Sequence, residues 1–101
     1  GEINPNKLCS YWYENGYKKI ETFLIKYNEE TIFDGKYIEY FNNGIIYTEG
    51  NLANNHRDGK WIEYYASRMP KSIGNYKAGE KVGEWVYYNE SGDIIKTNLY
   101  E

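Results

Sequence analysis

The chain has 101 residues, enough for one domain, and 12 Lys and Arg against 15 Asp and Glu give it a net charge of −3. Thirteen Tyr and eleven Ile against four Leu and three Ala exclude a helical bundle, because Leu and Ala favour helices while Tyr and Ile favour strands. The basic residues are scattered rather than clustered, which weighs against nucleic acid and anionic lipid as partners, and one Cys excludes an internal disulfide or a multi-thiolate metal site.

The first segment with structure-bearing residues is 11–33. Trp12-Tyr13-Glu14-Asn15-Gly16 reads as the end of a strand and a turn. It aligns with Tyr40-Phe41-Asn42-Asn43-Gly44 at a shift of 28, so it is a divergent first copy of a repeat. Four extra residues are expected in the polar stretch Asn28-Glu29-Glu30-Thr31.

Three regular copies follow at a shift of 24, over 34–57, 58–81 and 82–101. In the first, Gly35 to Phe41 is a strand, Asn43-Gly44 a two-residue hairpin turn, and Ile45 to Leu52 the returning strand. Ala53 to Asp58 reads as a polar connection to the next copy. In the second copy Ala66-Ser67-Arg68-Met69-Pro70 has no Gly, so a different, longer turn is expected there. The third copy turns at Ser91-Gly92. The recurring positions are Gly35, Gly59 and Gly83; Tyr40, Tyr64 and Tyr88; Gly44 and Gly92; and Gly50 and Gly74, with Asn98 in the third copy.

The predicted fold is all-β: an antiparallel meander of about eight strands in one curled sheet, built from 24-residue hairpins. With Asn43-Gly44 as the loop, Tyr37 faces Gly50 and Tyr40 faces Tyr47; the same offset sets Trp61 opposite Gly74 and Trp85 opposite Asn98. A ring opposite a glycine shields its bare backbone, a reason for Trp and Gly to recur together. Alternation puts Ile38, Tyr40, Ile62, Tyr64, Val86 and Tyr88 on one face, expected to be buried. Tyr37, Glu39, Trp61, Glu63, Trp85 and Tyr87 share the other, expected to be partly wet and the candidate binding surface.

The strings Asp34-Gly35-Lys36-Tyr37-Ile38-Glu39-Tyr40-Phe41-Asn42-Asn43-Gly44, Asp58-Gly59-Lys60-Trp61-Ile62-Glu63-Tyr64-Tyr65 and Val82-Gly83-Glu84-Trp85-Val86-Tyr87-Tyr88 resemble the MORN repeat variant. The resemblance implies a hairpin-repeat scaffold or binding module, and many bacterial chains with this variant are labelled antitoxins. Asn, Lys, Ile and Tyr, all with AT-rich codons, make up nearly half the chain, which points to a bacterial source. A start at Gly1 leaves the compartment open between the cytoplasm and export with a signal peptide removed.

No catalytic or metal-binding set emerges, and no cofactor is expected. His56 is the only His and reads as a loop residue; Cys9 lacks a companion base; Gly79-Glu80-Lys81-Val82-Gly83 lacks the spacing of a phosphate cradle. Glu39 and Glu63, two strands apart, would lie about 9.5 Å from each other, a spacing that the repeat itself imposes. The expected function is a non-enzymatic scaffold for a protein partner, best a basic one, of antitoxin or immunity type. The alternative is a carbohydrate- or choline-binding wall module using the Tyr37, Trp61, Trp85 ladder. Sheet ends exposed at both termini of the array also predict self-association through edge strands.

Overall fold

The computed structural model describes residues 7–27 and 30–101. Eight antiparallel strands form one sheet in chain order: β1 (Lys7–Trp12), β2 (Lys18–Tyr27), β3 (Glu30–Tyr40), β4 (Ile46–Ala53), β5 (His56–Tyr64), β6 (Pro70–Lys77), β7 (Glu80–Tyr88) and β8 (Ile94–Tyr100). The sheet stays open, with β1 and β8 as its two edges. It measures 48 × 40 × 15 Å, a single layer. The all-β meander expected from the repeats is the observed architecture.

Two kinds of turn alternate. Within each hairpin, the end of one strand closes a three-residue loop: Phe41 N–H donates to Ile45 O, and Gly44 N–H to Phe41 O. Only Gly44 has positive φ, at 90°, so the loop is a type I turn followed by a left-handed residue rather than the two-residue turn expected from Asn43-Gly44. The added residue shifts the register: Tyr40 pairs with Ile46, not Tyr47, while Tyr37 does face Gly50.

The same loop recurs at Tyr13–Tyr17, Tyr65–Met69 and Asn89–Asp93. The second copy therefore does not have the longer turn its missing glycine suggested. Arg68 takes the left-handed position itself, at φ 75°.

Between copies the turns are tighter. Ala53 pairs with His56 across Asn54-Asn55, both with positive φ, and Lys77 pairs with Glu80 across Ala78-Gly79. The expected polar connection at 53–58 is thus hairpin almost throughout. Asn tolerates φ > 0, so Asn54-Asn55 suits this turn.

β2 and β3 hold 10 and 11 residues, each two longer than β4 and β5 with 8 and 9. The four extra residues of the first copy therefore lengthen one hairpin; of the stretch named for them, Asn28 and Glu29 lie outside the described residues.

The expected contrast between the faces is not observed. On the face expected to be partly wet, Trp61 and Trp85 are only 3% and 4% exposed and Thr22, Thr48 and Ser72 are buried, while Tyr37, Glu39, Glu63 and Tyr87 are half-buried, the same as Ile38, Tyr40, Ile62, Tyr64, Val86 and Tyr88 on the face expected to be buried. In a single layer neither face is covered by another element. The two indoles become buried by folding back on their own sheet, and Thr22 and Thr48 by lying low against the backbone, where their hydroxyls donate to Lys36 O and Ile62 O.

Candidate functional site

The aromatic face is built by irregularities in pairing. Between Ile62 and Asp58 on β5, the three residues Gly59, Lys60 and Trp61 stand against Gly50 alone on β4. Gly59 supplies the left-handed conformation, φ 74°, that such a bulge needs. The bulge swings the Trp61 indole over Gly50, and Nε1 donates to Asn51 O at 2.9 Å.

Trp85 repeats this over Gly74, with Nε1 to Asn75 O at 3.1 Å. Trp61 does pair with Gly74 and Trp85 with Asn98 in register, but each ring shields the glycine on its other neighbour, across the inter-copy turn. Copy one uses a different volume split: Tyr37 faces Thr22, whose buried hydroxyl donates to Lys36 O at 3.0 Å.

The rings form a continuous run. Centroid distances are 5.5 Å for Tyr37–Trp61, 6.1 Å for Trp61–Tyr76, 5.0 Å for Tyr76–Trp85 and 6.4 Å for Trp85–Tyr100, the last three edge-on. Cations from the chain itself sit on them. The Arg57 guanidinium lies 4.6 Å from the Trp61 ring and 5.3 Å from Tyr76; the Lys81 ammonium lies 4.7 Å from Trp85 and 5.5 Å from Tyr100. Arg57 and Lys81 occupy the same repeat position, a column that reading the Trp and Gly columns alone misses. Each indole thus has a glycine beneath it and a cation above it.

The carboxylates of this face are engaged separately. Glu39 accepts from Tyr37 Oη at 2.9 Å, and Glu63 meets Lys71 at 3.6 Å. Burial, and then the Glu39 carboxylate, push the Tyr37 hydroxyl up to about 12. Tyr87 lies under Lys96 and 3.4 Å from Lys81 Nζ. The hollow between Trp61 and Trp85 holds about 20 Å³. Among the described residues, no three His, Cys, Asp or Glu side chains are grouped to hold a metal ion. His56 packs at the inter-copy turn against Gly79, and Cys9 lies on edge strand β1.

The opposite face has room. A groove of about 280 Å³ is lined by Gly44, Ile45, Ile46, Glu49, Tyr64 and Arg68. A second, of about 450 Å³, runs past Lys36, Glu49, Asn51, Lys60 and Ile62. Glu49 lies in both and accepts from Tyr64 Oη at 2.6 Å; burial and this bond push the Tyr64 hydroxyl up to about 12. Around the grooves lie the half-exposed Ile38, Ile62, Ile73 and Val86.

No family model matches the chain, and no curated protein matches it. Among the described residues no helix is long and apolar enough to cross a membrane.

Proposed function

We propose that this chain is a non-enzymatic repeat scaffold that binds another protein, of antitoxin or immunity type, through the grooved face around Glu49, Ile62 and Tyr64. The observation that carries this reading is the contrast between the faces. The hollow between Trp61 and Trp85 holds about 20 Å³, while the Ile/Tyr face offers grooves of about 280 and 450 Å³ beside half-buried isoleucines.

The three in-register hairpins of 24 residues favour the MORN-variant reading, since that repeat is a hairpin presented on a sheet.

A photo-crosslinking residue at Ile62, with a matched one at Tyr87 on the other face, tests the proposal in the native host. Capture of one protein from position 62 only, whose purified form binds and is weakened at least tenfold by Ile62→Lys, is the expected result. Equal capture from both positions, or binding indifferent to Ile62→Lys, overturns it.

A further inference from the structure

We infer that β8 is the docking edge for a second copy of this chain, pairing antiparallel with its counterpart about a two-fold axis at Asn98. This does not rest on the partner reading above, which uses a sheet face rather than an edge.

An exposed strand edge presents unpaired backbone donors and acceptors, and proteins blunt it with charge, proline or shortness. β8 runs seven residues with no proline and one charge, Lys96. Ile94, Ile95 and Leu99 are 61%, 62% and 74% exposed along it.

The repeat shows which part of β8 is competent to pair outward. Its equivalents β4 and β6 begin their outward pairing at Thr48 and Ser72, the positions that correspond to Lys96. The run Lys96–Tyr100 is therefore the free ladder, and its midpoint is Asn98.

Pairing about that midpoint keeps each face with its like. Asn98 meets Asn98 of the second copy, Thr97 meets Leu99, and Lys96 meets Tyr100. No like charges oppose, the amides can bond across the axis, and each lysine gains an aromatic ring.

A head-to-tail arrangement would lack the lock that joins the copies within the chain. Asn98 stands where Gly50 and Gly74 stand in the earlier copies. Those glycines are covered by indoles, and a Cβ at either would fall inside the ring. A strand bringing the repeat's Trp cannot seat over Asn98. β1 carries Cys9 at that ring position, so a β8-to-β1 contact has no indole to lock it. With asparagine in place of the repeat's glycine, closed two-fold pairing is the complementary option for this edge.

Sedimentation equilibrium from micromolar to millimolar protein tests this, with oxidative cross-linking in a Cys9→Ser background. The full chain is expected to move toward dimer mass and stop there. Thr97→Lys combined with Leu99→Lys sets lysines opposite one another at exposed positions, and should weaken the dimer at least tenfold without unfolding the monomer. Asn98→Cys should cross-link to itself. Lys96→Cys should not, because its two copies would be about 14 Å apart along the strands, beyond disulfide reach. A monomer throughout, growth past a dimer, a dimer indifferent to the two lysines, or cross-linking as ready at 96 as at 98 overturns the inference.

Discussion

The Trp61 indole lies directly on Gly50, so closely that a methyl group on the glycine would stand well under 3.0 Å from the ring carbons. The ring is held there by the Nε1 bond to Asn51 O and cannot retreat without losing the acceptor of its own N–H. Gly50→Ala should therefore cost about 3 kcal/mol, in the upper range for forced overpacking. Trp61→Ala should cost about 3–5 kcal/mol by itself. The two losses should not add: with the indole gone, the alanine has room, so a double-mutant cycle by urea denaturation should return a strong coupling. Additive losses would mean that the ring does not rest on the glycine.

Arg68 occupies a left-handed position that Gly44 and Gly92 fill in the neighbouring copies. A side chain there costs about 1 kcal/mol or more of backbone strain. Arg68→Gly relieves it but gains flexibility in the unfolded chain, so a net stabilisation of up to about 1 kcal/mol is expected. Gly92→Arg should show the reverse. Because Arg68 lines the smaller groove, retained strain at this position fits a contact residue. The same Arg68→Gly variant should then bind the partner more weakly while melting higher.

Tyr37 and Tyr64 govern the alkaline limit. Each ionises at about 12 in the folded chain against an ordinary 10.0, with burial as the first cause and the Glu39 or Glu49 bond as the second. The unfolded chain therefore loses these protons first. Their stabilising contribution is complete below pH 10 and drains away as pH climbs towards 12. Tyrosinate absorbance should show two late-titrating groups, coincident with a falling melting temperature. Glu39→Gln should lower the Tyr37 midpoint only in part, since burial is the larger cause.

The indoles are occupied from within, by Arg57 and Lys81. Choline resin and peptidoglycan should consequently fail to retain the chain. Acrylamide should quench Trp12, which is 60% exposed, and leave Trp61 and Trp85 nearly untouched. Retention lost on Trp85→Ala would restore the wall-binding reading.

The repeat positions carried the fold. Gly35, Gly59 and Gly83 at a fixed shift predicted the strands and their order, because period-two alternation is local, but not the turns: the hairpin loops hold three residues, the second copy has no longer turn, and 53–58 is hairpin almost throughout. Which face is buried was not legible in that way. Alternation sorts Trp61 from Ile62, but the choice between them depends on the Gly59 bulge, which turns the indole onto a strand 11 residues earlier. The Arg68 turn misled for the opposite reason: three neighbouring copies of one loop impose their geometry on a residue that would not choose it. Glu49 drew no attention because its column changes along the array, from Glu21 through Glu49 to Ile73 and Thr97, and its role comes from Tyr64 crossing to it.

Every strand pairs with its neighbours in sequence, from β1 through to β8. A chain wired in this way has no distant staple between its ends. Drawn apart by its termini, the molecule should peel from its edges, releasing one strand after another in a staircase of small extensions. Each step would free a single row of hydrogen bonds, and the steps that lift Trp61 from Gly50 and Trp85 from Gly74 should resist most.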